Sequence, residues 1–423
     1  MRLFLSCFIF LYSLVGNAQV FSDFFEEQTL RLDYIFAGNN QQQYVFLDEI
    51  VQLDGWYGRK VRLDKVPFQG NGQIKVFDSQ SGQLIYALPF SSLFQEWLTL
   101  SESKIISKSF ENSFLIPYPK KEVTVEVSFF DEHQVETVLL KHHLKPKSHS
   151  IRQSFDLKNE YLILQKAQVN QPIRIAFVAE GFQENEMDDF IKFAQLATEH
   201  LFEHEVFKKH KNAFEVIAVQ TISKDSGVSI PSKTLWKDTA LFSHFDTFDS
   251  ERYLTTSRIK RMHQLLENTP YHHVIILANT AFYGGGGILN AFSIVSTKSE
   301  QFGPVVVHEF GHSFAGLADE YFYESDVFEN KAVHQVEPWE KNITSLVNFQ
   351  SKWQNLLIKD TPIPTDASLK DIIKVGVFEG LKGNGLYISS HYCRMKTNGV
   401  LDFCEVCSRA IDELILFNTT AEY

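Results

Sequence analysis

From about residue 44 to residue 150, apolar and polar positions alternate in short runs separated by turn residues. Ile74 and Val76 precede the turn DSQSGQ, and Leu84 and Tyr86 follow it; Val123, Val125, Val127 and Phe129 run into DEHQ and then VETVLL. Successive side chains of a strand point to opposite faces, so a period of two broken by such turns predicts antiparallel hairpins with one buried face. Several short hairpins in succession fit a small β-sandwich. Near residue 155 the pattern changes. IRIAFVAEGF (173–182), FEVIAVQTI (214–222) and HHVIILAN (272–279) are continuous apolar runs, as expected of strands covered on both faces. Met187, Ile191, Ala194, Ala197 and Leu201 recur at helical spacing after the first run, and a second helix is expected over about 254–267. Strands alternating with helices predict an α/β domain with a largely parallel sheet. The expected organisation is therefore a leader over 1–18, a β-sandwich over 19–155 and a second domain over 156–423.

The leader is MRLFLSCFIFLYSLVGNA. One basic residue, an apolar core from Leu3 to Val15 and the small residues Gly16 and Ala18 read as a secretory signal cut after Ala18. The apolar run is short for a membrane span of roughly 20 residues, and no second long run follows. The expectation is an exported chain, periplasmic, surface-bound or secreted, with no transmembrane segment after cleavage. A formal charge of −12 excludes the basic footprint that nucleic-acid binding requires.

The chemistry-bearing stretch is PVVVHEFGHSFAGLADEY, residues 304–321. Pro304 suits the first turn of a helix, and Gly316 can end it. On that helix His308 and His312 are four residues apart and share a face, so two imidazoles can grip one zinc ion. Glu309 is displaced by about a hundred degrees and can face a reacting water without ligating. This is the metallopeptidase reading of HExxH, with Glu309 as general base. Catalytic zinc commonly takes three protein ligands and leaves one position open. A turn at Gly316 would fold the chain back toward the metal, which offers Asp319 or Glu320 as the third ligand.

The block YGGGGILNAFSIVSTKSEQFGPVVVHEFGHSFAGLADEY, with the later CRMKTNGVLDFCEVC, resembles the zinc metallopeptidase family named after an IgA-cleaving bacterial peptidase. The Leu317, Asp319, Glu320, Tyr321 ending carries the resemblance, with support from DSG at 225–227 and DTA at 238–240. It spans roughly residues 170–415, and the N-terminal β domain fits the family's layout. It implies an α+β two-domain protein, a β-sandwich followed by an α/β zincin-like (metzincin-like) catalytic domain. It implies His308, His312 and Asp319 as ligands of one catalytic zinc, with Glu320 as the reserve. The wider metzincin group has a Gly and a third His where this chain has Ala315 and Ala318. Met395 would supply the methionine turn found beneath metzincin zinc sites, acting by packing.

Cys393, Cys404 and Cys407 remain after leader removal. In an oxidising compartment one disulfide and one free thiol are expected; a structural zinc site completed by His391 is the rival. The run Gly284–Gly287 lacks the Lys of a phosphate loop and reads as a flexible turn, and Phe292–Ser296 after it as the strand against which an extended substrate could pair. His142, His143, His272 and His273 are neighbours on strands, point to opposite faces and make poor chelating pairs. Tyr387 and Tyr392 read as structural, and the sequons at Asn342 and Asn418 carry little weight.

The sequence thus points to an exported zinc-dependent endopeptidase acting on protein or peptide substrates. A surface binding module with a silent zinc site and a zinc hydrolase of a non-peptide amide are the competing classes.

Overall fold

The computed structural model describes residues 20–155, 159–321, 335–380 and 385–420. The leader expected over 1–18 lies outside the described residues. Eight strands build the N-terminal part: β1 (Phe25–Gly38), β2 (Gln43–Asp54), β3 (Gly72–Asp78), β4 (Leu84–Phe90), β5 (Lys108–Pro119), β6 (Val123–Phe130), β7 (Glu136–Leu144) and β8 (Ile151–Gln153). They form two four-stranded sheets, ordered β5-β1-β2-β8 and β4-β3-β6-β7. Both expected hairpins are present, with Ile74 opposite Leu88 and Val76 opposite Tyr86 in one, and Val127 opposite Leu140 in the other. Asp78 sets the first turn by accepting from the Ser81 amide and hydroxyl, each at 2.7 Å, and Gly82 supplies the positive φ. The sheets meet across an aromatic core in which Phe36 of β1 lies 5.0 Å from Phe129 of β6, and Phe90 of β4 lies 4.7 Å from Phe114 of β5. Each such buried ring contributes about 1.5–3 kcal/mol relative to an exposed one.

A six-stranded sheet follows, from β9 (Tyr161–Gln165), β10 (Ile173–Glu180), β11 (Phe214–Val219), β12 (His273–Ala278), β13 (Gly285–Ile288) and β14 (Phe292–Ser296), in the order β13-β14-β12-β10-β11-β9. Strands β10, β11, β12 and β14 are parallel; β9 and β13 are antiparallel edges. Alternation along β10 divides its side chains. Ile175, Phe177 and Ala179 face the helices Met187–Glu203 and Phe302–Ala315, whereas Ala176 and Val178 belong to one continuous core with the sandwich. The six-stranded sheet therefore uses the N-terminal domain as the cover for one of its faces. A small sheet of β15 (Ile343–Thr344), β16 (Phe378–Glu379) and β17 (Tyr387–Ile388) and a helix over Glu405–Thr419 complete the second domain. Together the two parts form a two-domain α+β protein. Among the described residues no helix is long and apolar enough to cross a membrane.

Three expectations need correction. The helix foreseen over 254–267 is shorter, Ile259–Leu265, because Thr255 is held extended by reciprocal backbone bonds with His244. The glycine run is no flexible turn, since Gly285–Gly287 form most of β13 and occupy one edge of β14. Strand β14 pairs on its other edge with β12, so Phe292–Ser296 has no open edge for substrate pairing.

One buried ion network crosses between the domains. The guanidinium of Arg31 in β1, fully buried, lies 3.0 Å from Asp33 and 3.0 Å from the buried Glu267, and Ser113 donates to Asp33 at 2.6 Å. Removing one partner of such a group leaves uncompensated buried charge, at a cost of about 3–5 kcal/mol. Arg31→Ala is therefore expected to lose about that much stability by urea denaturation, and Arg31→Ala combined with Glu267→Ala less than the sum of the singles; strict additivity would show the residues to be uncoupled.

Candidate active site

The helix Phe302–Ala315 packs against β13 and β14 and ends at Gly316, which adopts a left-handed conformation at φ 59°. That reversal brings the next residues back beneath the helix end. The Leu317 carbonyl then accepts from Nδ1 of His312 at 2.6 Å, and the Arg394 carbonyl accepts from Nδ1 of His308 at 3.0 Å. With both Nδ1 atoms committed as donors, each neutral ring presents a lone pair at Nε2. These two Nε2 atoms lie 3.0 Å apart. Asp319 Oδ1 lies 3.0 Å from one and 3.2 Å from the other, and it meets no donor with hydrogen-bond geometry.

Three acceptors converging at this range need a cation or added protons between them. Burial alone would lower the His312 pKa, but the Asp319 charge beside it lifts it to about 9. Asp319 responds in kind: against the effect of burial, His312 and His308 hold its carboxyl well below the usual carboxylate range. His308, His312 and Asp319 can hold a metal ion, and two imidazole nitrogens with one carboxylate oxygen suit zinc with a position left open.

Glu309 lies over β13. A Cβ on Gly285 would sit 2.5 Å from its Oε1, and one on Gly287 would sit 2.4 Å from its backbone oxygen. The glycine run lets the edge strand pass directly under this carboxylate. Desolvation pushes the Glu309 carboxyl up, against the charges of His308 and His312. Glu309, the two histidines, Asp319 and Tyr321 line one cleft of about 560 Å³, to which the N-terminal domain contributes Asn71, Gln95 and Glu96.

Several contributors had been given no role at the site from the sequence alone. Glu96, on the short helix Leu93–Leu98, accepts a hydrogen bond from the Tyr253 hydroxyl, and burial pushes its carboxyl up to about 7. Tyr321 stacks on His308 with ring centroids 5.9 Å apart. Asn342, read only as a sequon, is fully buried; it accepts from the Ala318 amide at 2.8 Å and donates to the Ala318 carbonyl at 2.8 Å, bracing the residue before Asp319. The DSG and DTA segments hold each other, the Asp225 amide donating to the Asp238 carbonyl at 3.0 Å. The buried Glu180 accepts from the Thr239 hydroxyl at 2.6 Å and the Leu241 amide at 2.8 Å, which fixes the second of them.

Met395 is buried beneath the motif helix; a Cβ on Gly311 would lie 2.7 Å from its sulfur. Its carbonyl accepts from the Glu320 amide at 2.9 Å, so the methionine segment supports the residues after Gly316 as well as His308. Glu320 turns away from the histidines toward Cys393, Cys404 and Cys407, which are all free thiols; the expected disulfide is not formed, and His391 does not join them. The paired histidines on strands enter no metal-capable cluster among the described residues. Tyr392 is half exposed and bonds Asp371, away from the cleft.

A family model described as IgA Peptidase M64 matches residues 162–374, and one described as Peptidase M64 N-terminus matches residues 20–140. Among curated proteins no match was found.

Asp319→Ala is expected to weaken metal binding at this cluster by more than the roughly 100-fold that loss of an outer-shell partner can cost, read with added zinc by competition with a chromophoric chelator. Unchanged affinity would remove Asp319 from the ligand set.

Proposed function

The chain belongs to the IgA peptidase M64 family, a family of metallopeptidases, and we propose that it is a zinc-dependent endopeptidase using His308, His312 and Asp319 as ligands and Glu309 as general base. The convergence of two Nε2 lone pairs and one carboxylate oxygen at 3.0–3.2 Å, below an accessible cleft, carries this reading. Zinc held there would polarise a scissile carbonyl and make water acidic enough to attack near neutral pH. The protein residues do the rest. Glu309 takes the proton of the attacking water and returns it to the departing amine, a role suited to a carboxyl raised by desolvation. The backbone carbonyls of Arg394 and Leu317 hold the imidazoles in the tautomer that ligation requires. A cleft walled by both domains supports binding of an extended segment of peptide and cleavage within it.

The test is cleavage of a peptide library by the purified parent and by Glu309→Ala, with metal content measured on both. The parent is expected to cleave, and the variant to keep its metal while losing about 10²–10⁴-fold in rate. Full activity in the variant would falsify the assignment of the base. Metal without cleavage in the parent would favour a non-peptide amide or a binding role. Gly285→Ala is expected to keep the metal and lower kcat by about 100-fold, because its methyl group displaces the Glu309 carboxylate. A kcat equal to that of the parent would show that the carboxylate tolerates displacement.

A further inference from the structure

We propose that Glu320, Cys393, Cys404 and Cys407 form a second metal site, structural in role, for a thiophilic divalent cation of the zinc type. The residues come from three separate segments, and all are buried, at 0, 0, 7 and 0 % exposure respectively. One ligand atom from each lies within 4.8 Å of all the others. Cys393 Sγ and Cys407 Sγ are 3.6 Å apart, and Cys407 Sγ is 3.2 Å from Glu320 Oε1. Tetrahedral coordination with zinc–sulfur bonds of about 2.3 Å sets sulfurs about 3.8 Å apart and sulfur from oxygen about 3.5 Å. The observed spacings are near those values. They are far from the S–S separation of about 2.05 Å in a disulfide.

Two of the sulfurs accept backbone amide hydrogen bonds. Cys404 is the N-cap of the helix Glu405–Thr419; the Cys407 amide donates to its sulfur at 3.5 Å, and its own amide donates to Cys393 Sγ at 3.3 Å. Ser389 Oγ lies 3.2 Å from Cys404 Sγ. A second and independent sign is the carboxylate. Glu320 Oε1 accepts from Asn342 at 3.0 Å, but its Oε2 is buried without a hydrogen-bond partner. A buried carboxyl oxygen left in that state among three sulfurs calls for a cation. The neighbouring Lys396 ammonium donates to the Glu320 backbone carbonyl at 2.8 Å, offsetting part of the negative charge without entering the cluster.

The site would act as a staple. Glu320 follows Asp319 directly, and Cys393 is two residues before Met395, whose carbonyl holds the Glu320 amide. Between them, Arg394 supplies the carbonyl that orients His308. A metal at the cysteines therefore ties the Asp319 segment, the methionine segment and the last helix together.

The experiment separates this site from the catalytic one. A full-length His308→Ala/His312→Ala variant is purified, its zinc counted, and the metal exchanged for cobalt(II). Retention of about one zinc per chain is expected, with intense near-ultraviolet thiolate-to-cobalt absorption and with thiols that react fully only after denaturation with chelator. No retained metal with freely reactive thiols, or a disulfide between any two of these cysteines on peptide mapping, would overturn the proposal. Cys407→Ser in the parent background is expected to lose about one equivalent; should it not fold, the cobalt spectrum of the histidine variant decides alone. Failure of peptide cleavage by the parent leaves these readouts untouched.

Discussion

The left-handed turn at Gly316 is the constraint on which the site depends. An L-residue with a side chain is strained at φ 59°, and a Cβ there would lie 2.7 Å from the Trp339 ring, so glycine is required twice over. Because the chain reverses at that residue, the Leu317 carbonyl meets His312 and the Asp319 carboxylate meets both Nε2 atoms. The next residues are then caught by Asn342 and by the Met395 carbonyl. A helix that continued one more turn would carry Asp319 away from the histidines by about 1.5 Å per residue.

Close packing around the helix follows the same logic. Gly285 and Gly287 let the edge strand approach the Glu309 side, and Gly311 lets Met395 approach from below. Glycine inside a helix costs about 1 kcal/mol relative to alanine. Here the cost is local and the return is positional: strand, helix and methionine segment lie at contact distance, with no room for a methyl group between them. The proposed ligands are thus held by the backbone of three elements, which is what pre-organises a site before substrate arrives.

Much of this was legible in the chain because it depends on short-range periodicity. The i, i+4 spacing of His308 and His312, the terminating glycine and the alternating hairpins each follow from local geometry. Choosing between Asp319 and Glu320 does not, because adjacent residues differ only in which way the chain turns after Gly316, and that is decided by Asn342 and Met395 far along the sequence. The cysteines show the same limit: an oxidising compartment suggested a disulfide, whereas the three are free thiols and the fourth member of their cluster lies 73 residues before Cys393. The glycine run reads as a turn in the sequence, and only its contacts with the helix explain why a strand tolerates glycine there. Glu96, Tyr253 and the Arg31–Glu267 pair meet only through tertiary folding, and no local pattern marks them.

The N-terminal sandwich cannot be regarded as a detachable accessory. A parallel sheet exposes two apolar faces and must cover both. Helices cover one face of this sheet, and the other runs into the sandwich core through residues such as Ala176, Val178, Ile276 and Ile294. Separating the domains would expose that face to water and strand Glu267 without its partner Arg31. The same contact brings Glu96 into the lining of the cleft that holds Glu309. Burial of the sheet and enclosure of the active-site cleft are therefore consequences of one interface, so a change that loosens the core between the domains should also disturb the geometry across the cleft.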